Sequence, residues 1–255
     1  MSSSSVNQVN AGTANTDNEA QCFDIIPKEE VESTEDCIGF DLDLTLVDSS
    51  AGILETFKHI LTKHGYITKV TEQDILNTIG IPLEEAFKKL GVPEPSVEAI
   101  TAEYRAVFNE IALPKITLMP HARECLDMLK DENSDNGAYK LVLISARKEE
   151  SVLSICDALK IRDYFDIIKG GLHAEEKGEL LSQQRASLYV GDTPGDMIAA
   201  KTAKCIAVGV TTGYNDAAAL RKENDNAYII SNLSELKDVM IKITSDRLAS
   251  TCIVS

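Results

Sequence analysis

The sequence CIGFDLDLTLVD, residues 37–48, indicates both the fold and the place of the chemistry. Its first four residues are apolar enough for one buried strand, and two carboxylates, Asp41 and Asp43, follow, then the hydroxyl of Thr45. On an extended strand residues i and i+2 point to the same side, so Asp41 and Asp43 converge if the strand geometry persists that far. Two anions so close need a divalent cation between them or a proton on one. Taken alone, the pattern fits a solvated turn equally well.

Two further apolar runs also end in polar groups. Residues 140–144 are followed by Ser145, and residues 186–190 are followed by Gly-Asp-Thr-Pro-Gly-Asp, which contains Asp192 and Asp196. In a parallel sheet the carboxyl ends of the strands lie along one edge, which is where open α/β folds bind their ligands. The sequence therefore predicts that three strand ends form a single site.

With one lysine added, these side chains read Asp, Asp, Ser, Lys, Asp, Asp in chain order. The chain then resembles the haloacid dehalogenase superfamily, whose motifs are Asp-x-Asp-x-Thr/Val, a strand-terminal Ser/Thr, a Lys, and Gly-Asp-x-x-x-Asp. The resemblance runs from about Cys37 to Gly213. Lys169 and Lys177 compete for the third motif, and the resemblance favours Lys177, because the family's lysine lies in the loop or first helical turn before the strand of the fourth motif.

Strands alternate with helices along most of the chain, which predicts an α/β fold with a doubly wound parallel sheet. Residues 50–144, between the first two motifs, are too many for one crossover helix and carry several helical patterns. The resemblance implies that a small helical cap domain is inserted there. The predicted division is a disordered tail at 1–34, a Rossmann-like core at 35–49 and 117–245, a helical cap at 50–116 and a flexible tail at 246–255.

Composition and charge argue against several classes of protein. The chain has 25 basic and 41 acidic residues, a net charge of −16, which disfavours a nucleic-acid or membrane-surface partner. No apolar run approaches the ~18 residues of a membrane span. The six cysteines form no Cys-x-x-Cys pair, and Cys37, Cys156 and Cys205 lie in apolar runs, as reduced thiols do. We therefore expect a cytoplasmic protein, and the oligomeric state stays open.

The last four residues, 252–255, fit the Cys-a-a-x prenylation pattern. The preceding segment 242–247 is not polybasic, and the rest of the chain is most similar to bacterial members of the superfamily. Coincidence is therefore the favoured explanation of this pattern.

The resemblance implies a phosphatase that works through an aspartyl-phosphate. Asp41 is then the nucleophile, and Asp43 protonates the leaving group and later activates water. The implied cofactor is Mg²⁺, held by Asp41, the backbone carbonyl of Asp43, and Asp192. The groups expected to bind the phosphoryl oxygens are Ser145, Lys177 and the backbone N–H groups of Leu42 and Ala146. Asp196, which would orient Lys177 or a metal-bound water, and Thr45 are expected to support these groups.

Three residues depart from the pattern of the superfamily. Leu44 replaces the Gly most often found between Asp43 and Thr45, and we expect it to narrow the entrance to the site. Lys204 replaces a Gly common after the fourth-motif helix, where it should affect only the helix C-terminus. Arg147 stands where the most similar phosphatases often have Lys or Asn-Lys, which leaves the size of the substrate open.

Residues 79–83, 104–105 and 211–213 resemble phosphoglycolate phosphatases most, so the expected partner is a small phosphorylated metabolite. Asp43 argues against a dehalogenase, which lacks the second Asp of the first motif. A sugar phosphomutase or other phosphotransferase keeps both Asp residues and stays open as an alternative. A silent binding module, which keeps the fold without turnover, is the alternative from a different class.

Overall fold

The structure of the protein, a computed structural model, describes residues 36–131, 133 and 138–252, with side chains described as far as residue 246. The predicted tail at 1–34 lies outside the described residues, and the prenylation pattern at 252–255 lies outside the described side chains.

A six-stranded parallel sheet forms the centre of the fold. The described strands, six in this sheet and two (β2 and β3) in a separate pair, are β1 (Cys37–Phe40), β2 (Val47–Asp48), β3 (Thr117–Leu118), β4 (Lys140–Ser145), β5 (Ile167–Gly170), β6 (Ala186–Gly191), β7 (Ile206–Val210) and β8 (Tyr228–Ile230). The order across the sheet is β5-β4-β1-β6-β7-β8, and every neighbouring pair is parallel. β1, β4 and β6 are therefore adjacent, and their carboxyl ends meet at one edge.

Helices connect the strands and cover the sheet. Within the described ranges they are α1 (Ser50–Lys63), α2 (Glu72–Leu76), α3 (Leu83–Lys89), α4 (Glu94–Ile111), α5 (Ala122–Leu129), α6 (Glu149–Leu159), α7 (Ala174–Gln183), α8 (Pro194–Ala203), α9 (Ala217–Glu223) and α10 (Leu236–Cys252). The central strands are mostly apolar because both faces of a parallel sheet are buried. All four residues of β1 are buried, for example. The predicted doubly wound α/β fold is confirmed.

Residues 50–116, which we call the cap segment, contain α1 to α4. The chain leaves the sheet region through β2 and returns through β3, and these two strands pair antiparallel, Val47 with Leu118 and Asp48 with Thr117. Four aromatic rings meet inside the segment, with centroid separations of 4.9–5.8 Å. They belong to Phe57, Phe87, Tyr104 and Phe108. The helices lie where the sequence predicted them, and the division into cap and core domains stays a proposal.

Two helices differ from the sequence prediction. α9, between β7 and β8, was not predicted, because its seven residues carry a single buried apolar side chain, Leu220. α10 continues to Cys252, beyond the predicted end of the core at residue 245 and into the range predicted as a flexible tail.

The expectations of reduced cysteines and of no membrane span can be compared with the described part of the chain. Cys37, Cys125, Cys156 and Cys205 are free thiols. No described helix is both long enough and apolar enough to cross a membrane.

Lys204 ends α8 in the left-handed conformation, with φ of 57°, which costs a residue with a side chain more than it costs glycine. We expect Lys204→Gly to raise the free energy of unfolding by about 0.5–1 kcal/mol, since the relief of strain outweighs the added entropy of the unfolded chain. Urea unfolding measures the effect. Lys201→Gly, an exposed position inside the same helix, is the matched control and should lower stability by about 1 kcal/mol. Equal losses in both variants would contradict the conformational explanation.

Candidate active site

Three adjacent strand ends supply the buried polar groups of the candidate site. Asp41 follows β1, Ser145 ends β4 and Asp192 follows β6, and their exposed fractions are 6%, 1% and 2%. All three line one small cavity together with Asp43 and Lys177. The structure thus brings together the side chains that the sequence predicted to meet.

Lys177 reaches this cavity from the first half of α7. Its Nζ donates hydrogen bonds to Asp41 Oδ1 at 2.6 Å and to Asp196 Oδ1 at 2.7 Å. Lys169 instead lies near the exposed Glu149, at 3.3 Å. The geometry therefore selects Lys177 of the two competing lysines as the one beside the carboxylates.

Asp196 is fully buried and both of its carboxylate oxygens already have donors. Oδ1 accepts from Lys177 and from the hydroxyl of Tyr189, at 3.1 Å, and Oδ2 accepts from the backbone N–H and hydroxyl of Thr193. The bonds with Thr193 form a capping box that begins α8. Asp196 thereby holds Lys177 in place, as the sequence analysis expected of a supporting residue.

The carboxylates of Asp41, Asp192 and Asp196 offer oxygen atoms within 4.8 Å of one another. Among the described residues, the one hydrogen bond to the carboxylate of Asp192 comes from the Thr45 hydroxyl at a long 3.4 Å. A buried carboxylate with so little compensation is costly unless a cation pairs with it. Since the oxygens of Asp196 are taken, Asp41 and Asp192 are the two carboxylates that fit a divalent cation.

The pKa shifts of Asp41 and Asp192 also favour a bound cation at this site. Burial raises the pKa of Asp41, and the nearby ammonium of Lys177 lowers it only in part. Burial, followed by the charges of Asp41 and Asp196, raises the pKa of Asp192 well above its usual range. Three buried carboxylates face a single buried ammonium, and this excess of negative charge suits a hard cation such as Mg²⁺.

Asp43 lies at the cavity but has a different partner from Asp41. β1 ends at Phe40, and the carboxylates of Asp41 and Asp43 line the same small cavity, as the sequence predicted. The side chain of Asp43 forms a two-pronged ion pair with Arg147, at 2.7 and 2.8 Å. This partner was missed in the sequence, where Arg147 was noted only as a departure from the family pattern.

Leu44 does not narrow the entrance, contrary to expectation. It adopts a left-handed conformation, with φ of 59°, and its side chain is 3% exposed within the apolar core. Its N–H donates to the carbonyl of Val47 and its carbonyl accepts from the hydroxyl of Thr212. Leu44 therefore shapes the turn after Asp43 from inside the core.

The cap segment covers the strand ends. Ile79 and Gly80, in the loop between α2 and α3, line the same small cavity as Asp41 and Lys177. Gly80 has φ of 93°, and a Cβ built on it would lie 3.1 Å from the Thr193 methyl group. A second cavity of about 270 Å³ continues from Asp43 between this loop and α4.

Comparison with known proteins places this arrangement in a family. The profile of the haloacid dehalogenase-like hydrolases matches residues 38–210. A probable phosphatase of Dickeya dadantii, IndB, is 32% identical over 213 residues, covering 77% of this chain and 90% of that protein. A phosphoglycolate phosphatase of Haemophilus influenzae is 26% identical, covering 80% and 97%. A haloacid dehalogenase-like hydrolase structure from Bacteroides fragilis has a TM-score of 0.69 and 30% identity, covering 79% and 99%.

The buried charge of Asp192 gives a prediction about stability. Asp192→Asn removes a destabilising buried carboxylate, so we expect the metal-free variant to be more stable than wild type by about 1–3 kcal/mol. In wild type, Mg²⁺ at about 100 times its Kd should add about 2.7 kcal/mol, and the variant should lose most of this gain. Thermal unfolding in EDTA and in Mg²⁺ measures both effects.

Asp225→Asn, at an exposed position, is the matched control and should behave like wild type in both solutions. An undiminished Mg²⁺ response in Asp192→Asn would show that Asp192 does not hold the cation.

Proposed function

We propose that this chain, which belongs to the haloacid dehalogenase-like hydrolases and is a phosphatase, hydrolyses a small phosphorylated metabolite through an aspartyl-phosphate on Asp41. The observation that carries the proposal is the buried carboxylate of Asp41 at a strand end, 2.6 Å from the ammonium of Lys177. Ser145 and Asp192 line the same cavity. A nucleophile, cations and hydroxyl donors are the groups that phosphoryl transfer requires.

Charge is the main obstacle to this reaction. A carboxylate nucleophile and a phosphate ester repel each other, and the spontaneous reaction is so slow that enzymatic accelerations reach ~10²¹. Lys177 supplies one positive charge beside Asp41. Mg²⁺ held by Asp41, Asp192 and the backbone carbonyl of Asp43 would supply two more and screen the phosphoryl oxygens.

Asp41 and Asp43 divide the chemistry between them. An oxygen of Asp41 forms a bond to phosphorus while the bond to the leaving oxygen breaks, and a protonated Asp43 gives its proton to that oxygen. Water then attacks phosphorus, Asp43 takes a proton from it, and the bond between Asp41 and phosphorus breaks. Inorganic phosphate and the alcohol are the products, and both carboxyl groups return to their starting states.

Other groups at the strand ends would bind the phosphoryl oxygens. Ser145 has its hydroxyl at the cavity, and Lys177 points its ammonium there. The backbone N–H groups of Leu42 and Ala146, which follow Asp41 and Ser145, are proposed as further donors. Two further residues would orient these groups through hydrogen bonds. Thr45 donates its hydroxyl to Asp192, and Asp196 accepts from Lys177.

The cap segment is proposed to set the size of the substrate. Its loop at Gly80 lies over the small cavity, and the space beyond it measures about 270 Å³, which suits a small molecule. The net charge of −16 disfavours a polyanionic polymer. A small phosphorylated metabolite is therefore the proposed substrate class, and phosphoglycolate is one member of it.

A panel of small phosphate monoesters tests the proposal directly. Purified protein is assayed for phosphate release with Mg²⁺ and again in EDTA. We expect release from at least one member with Mg²⁺ and its loss with the chelator. Full activity in excess chelator would contradict the proposed role of the metal, and no release from any member would contradict the phosphatase reaction.

Asp41→Asn tests the nucleophile. The amide keeps the shape of the side chain but is a far weaker nucleophile, so we expect turnover to fall at least about 10³-fold. Thermal unfolding should show a folded protein. Asp48→Asn, an exposed carboxylate of the same stretch, is the control and should retain activity. Activity of more than a few per cent in a clean Asp41→Asn preparation would count against Asp41.

Lys177→Met tests the choice between the two lysines. It removes the ammonium beside Asp41, and we expect kcat/KM to fall about 10²–10³-fold. Lys169→Met makes the same change 8 residues earlier in the chain, outside both cavities, and should stay within about twofold of wild type. The reverse ranking of the two variants would identify Lys169 as the phosphate-binding lysine.

A further inference from the structure

Arg147 forms an ion pair with Asp43, the proposed acid–base group, and its mostly buried side chain also contacts the cap segment. Its Nε and one terminal nitrogen donate to the two oxygens of Asp43, at 2.7 and 2.8 Å, and the side chains are only 14% and 15% exposed. The guanidinium lies over the ring of Phe108 in α4, 4.5 Å from its centre. The ring of Phe108 therefore covers one face of the guanidinium.

Two hydrogen bonds hold the backbone of Arg147 in place, so we expect its side chain to move independently of the backbone. Its N–H donates to the hydroxyl of Ser145 at 3.1 Å, and its carbonyl accepts from Gly171 N–H. Gly170 packs against this loop, and a Cβ there would lie 2.5 Å from the Arg147 carbonyl oxygen. A movement of the guanidinium therefore leaves the strand end intact.

The ion pair between Asp43 and Arg147 conflicts with the proposed role of Asp43 as a proton donor. Both carboxylate oxygens of Asp43 accept from the guanidinium of Arg147, so neither oxygen is free to contact the leaving oxygen of a substrate. Arg147 must therefore release Asp43 during turnover. A guanidinium left unpaired against Phe108 and Tyr104 would be costly, so another anion has to take the place of Asp43.

The cavity indicates the source of that anion. Asp43 and Arg147 lie on the same wall of the 270 Å³ space that continues from the strand ends. A substrate with its phosphoryl group at Asp41 and its leaving oxygen at Asp43 extends its remaining atoms into this space. Among the described residues, two other cations line it: Arg105, already paired with Glu84 at 2.8 Å, and Lys148, which is exposed and not paired with Asp43.

We propose that Arg147 is a specificity-determining residue that binds a second anionic group, a carboxylate or a second phosphate, on the substrate and thereby releases Asp43. This inference rests on the proposed function and narrows it to short phosphate monoesters with a second negative charge a few bonds from the phosphoryl group. A substrate without a second anion leaves the ion pair closed, with both oxygens of Asp43 still held by Arg147.

Matched substrate pairs test the proposal. Phosphoglycolate is compared with its uncharged amide, and 1,3-propanediol bisphosphate with 3-hydroxypropyl phosphate. The measured quantity is the ratio of kcat/KM for the charged member to that for the neutral member, with p-nitrophenyl phosphate as a substrate whose leaving group needs no proton. The larger of the two ratios identifies the preferred anion.

In wild type we expect at least one ratio of about 100 or more, the usual effect of a buried two-pronged charge contact. Arg147→Met should bring that ratio to about 1, and Arg147→Lys, which keeps the charge but not the fork, should lower it at least about tenfold. Lys169→Met removes an equal charge outside both cavities and should keep the wild-type ratio. Arg147→Lys also serves if Arg147→Met does not fold.

Three outcomes would overturn the inference. If the kcat/KM ratios of wild type were near 1 in both substrate pairs, the protein would not recognise a second anion. Equal losses for both members of a pair in the Arg147 variants would show that Arg147 is merely structural. Wild type that hydrolyses none of these compounds, p-nitrophenyl phosphate included, would overturn the proposed function as well, whereas in the first two cases the phosphatase proposal survives.

Discussion

Buried charge at the carboxyl end of the sheet is the constraint on which much of this structure depends. Three carboxylates and one ammonium are almost fully buried there, and each needs a partner because an uncompensated buried charge is unstable. Glycine makes the close approach possible on two sides. A Cβ at Gly191 would lie 2.4 Å from the side chain of Asp196, and one at Gly213 would lie 1.9 Å from Asp192. The packing of the surrounding backbone is thus adapted to two carboxylates.

The position of the site could be predicted from the sequence because it follows from a strong rule. Apolar runs mark buried strands, parallel strands share one edge, and polar groups directly after the runs must meet there. Asp41, Ser145 and Asp192 satisfy that rule without any knowledge of side-chain contacts. Lys177 needed the family resemblance as well, since an isolated lysine at the start of a helix has many explanations.

Contacts that depend on the path of the chain between the motifs could not be predicted from the sequence. The pairing of Asp43 with Arg147 joins residues 104 positions apart, from the loops after β1 and β4. Leu44 is a similar case, because a left-handed residue is seldom leucine, and its burial reflects the turn and not the entrance. Both misses concern the surroundings of Asp43, the proposed acid–base group.

The short pairing of β2 with β3 has a consequence for how such a protein diversifies. Four residues bring the two ends of the cap segment side by side, Val47 against Leu118 and Asp48 against Thr117. Whatever length of chain lies between them begins and ends at one point, so insertions, deletions or wholesale exchange of those helices leave the spacing of the strand ends unchanged. Under the proposed role of the cap segment, selectivity would be modular, because the helices between β2 and β3 could be exchanged without a change in the sheet.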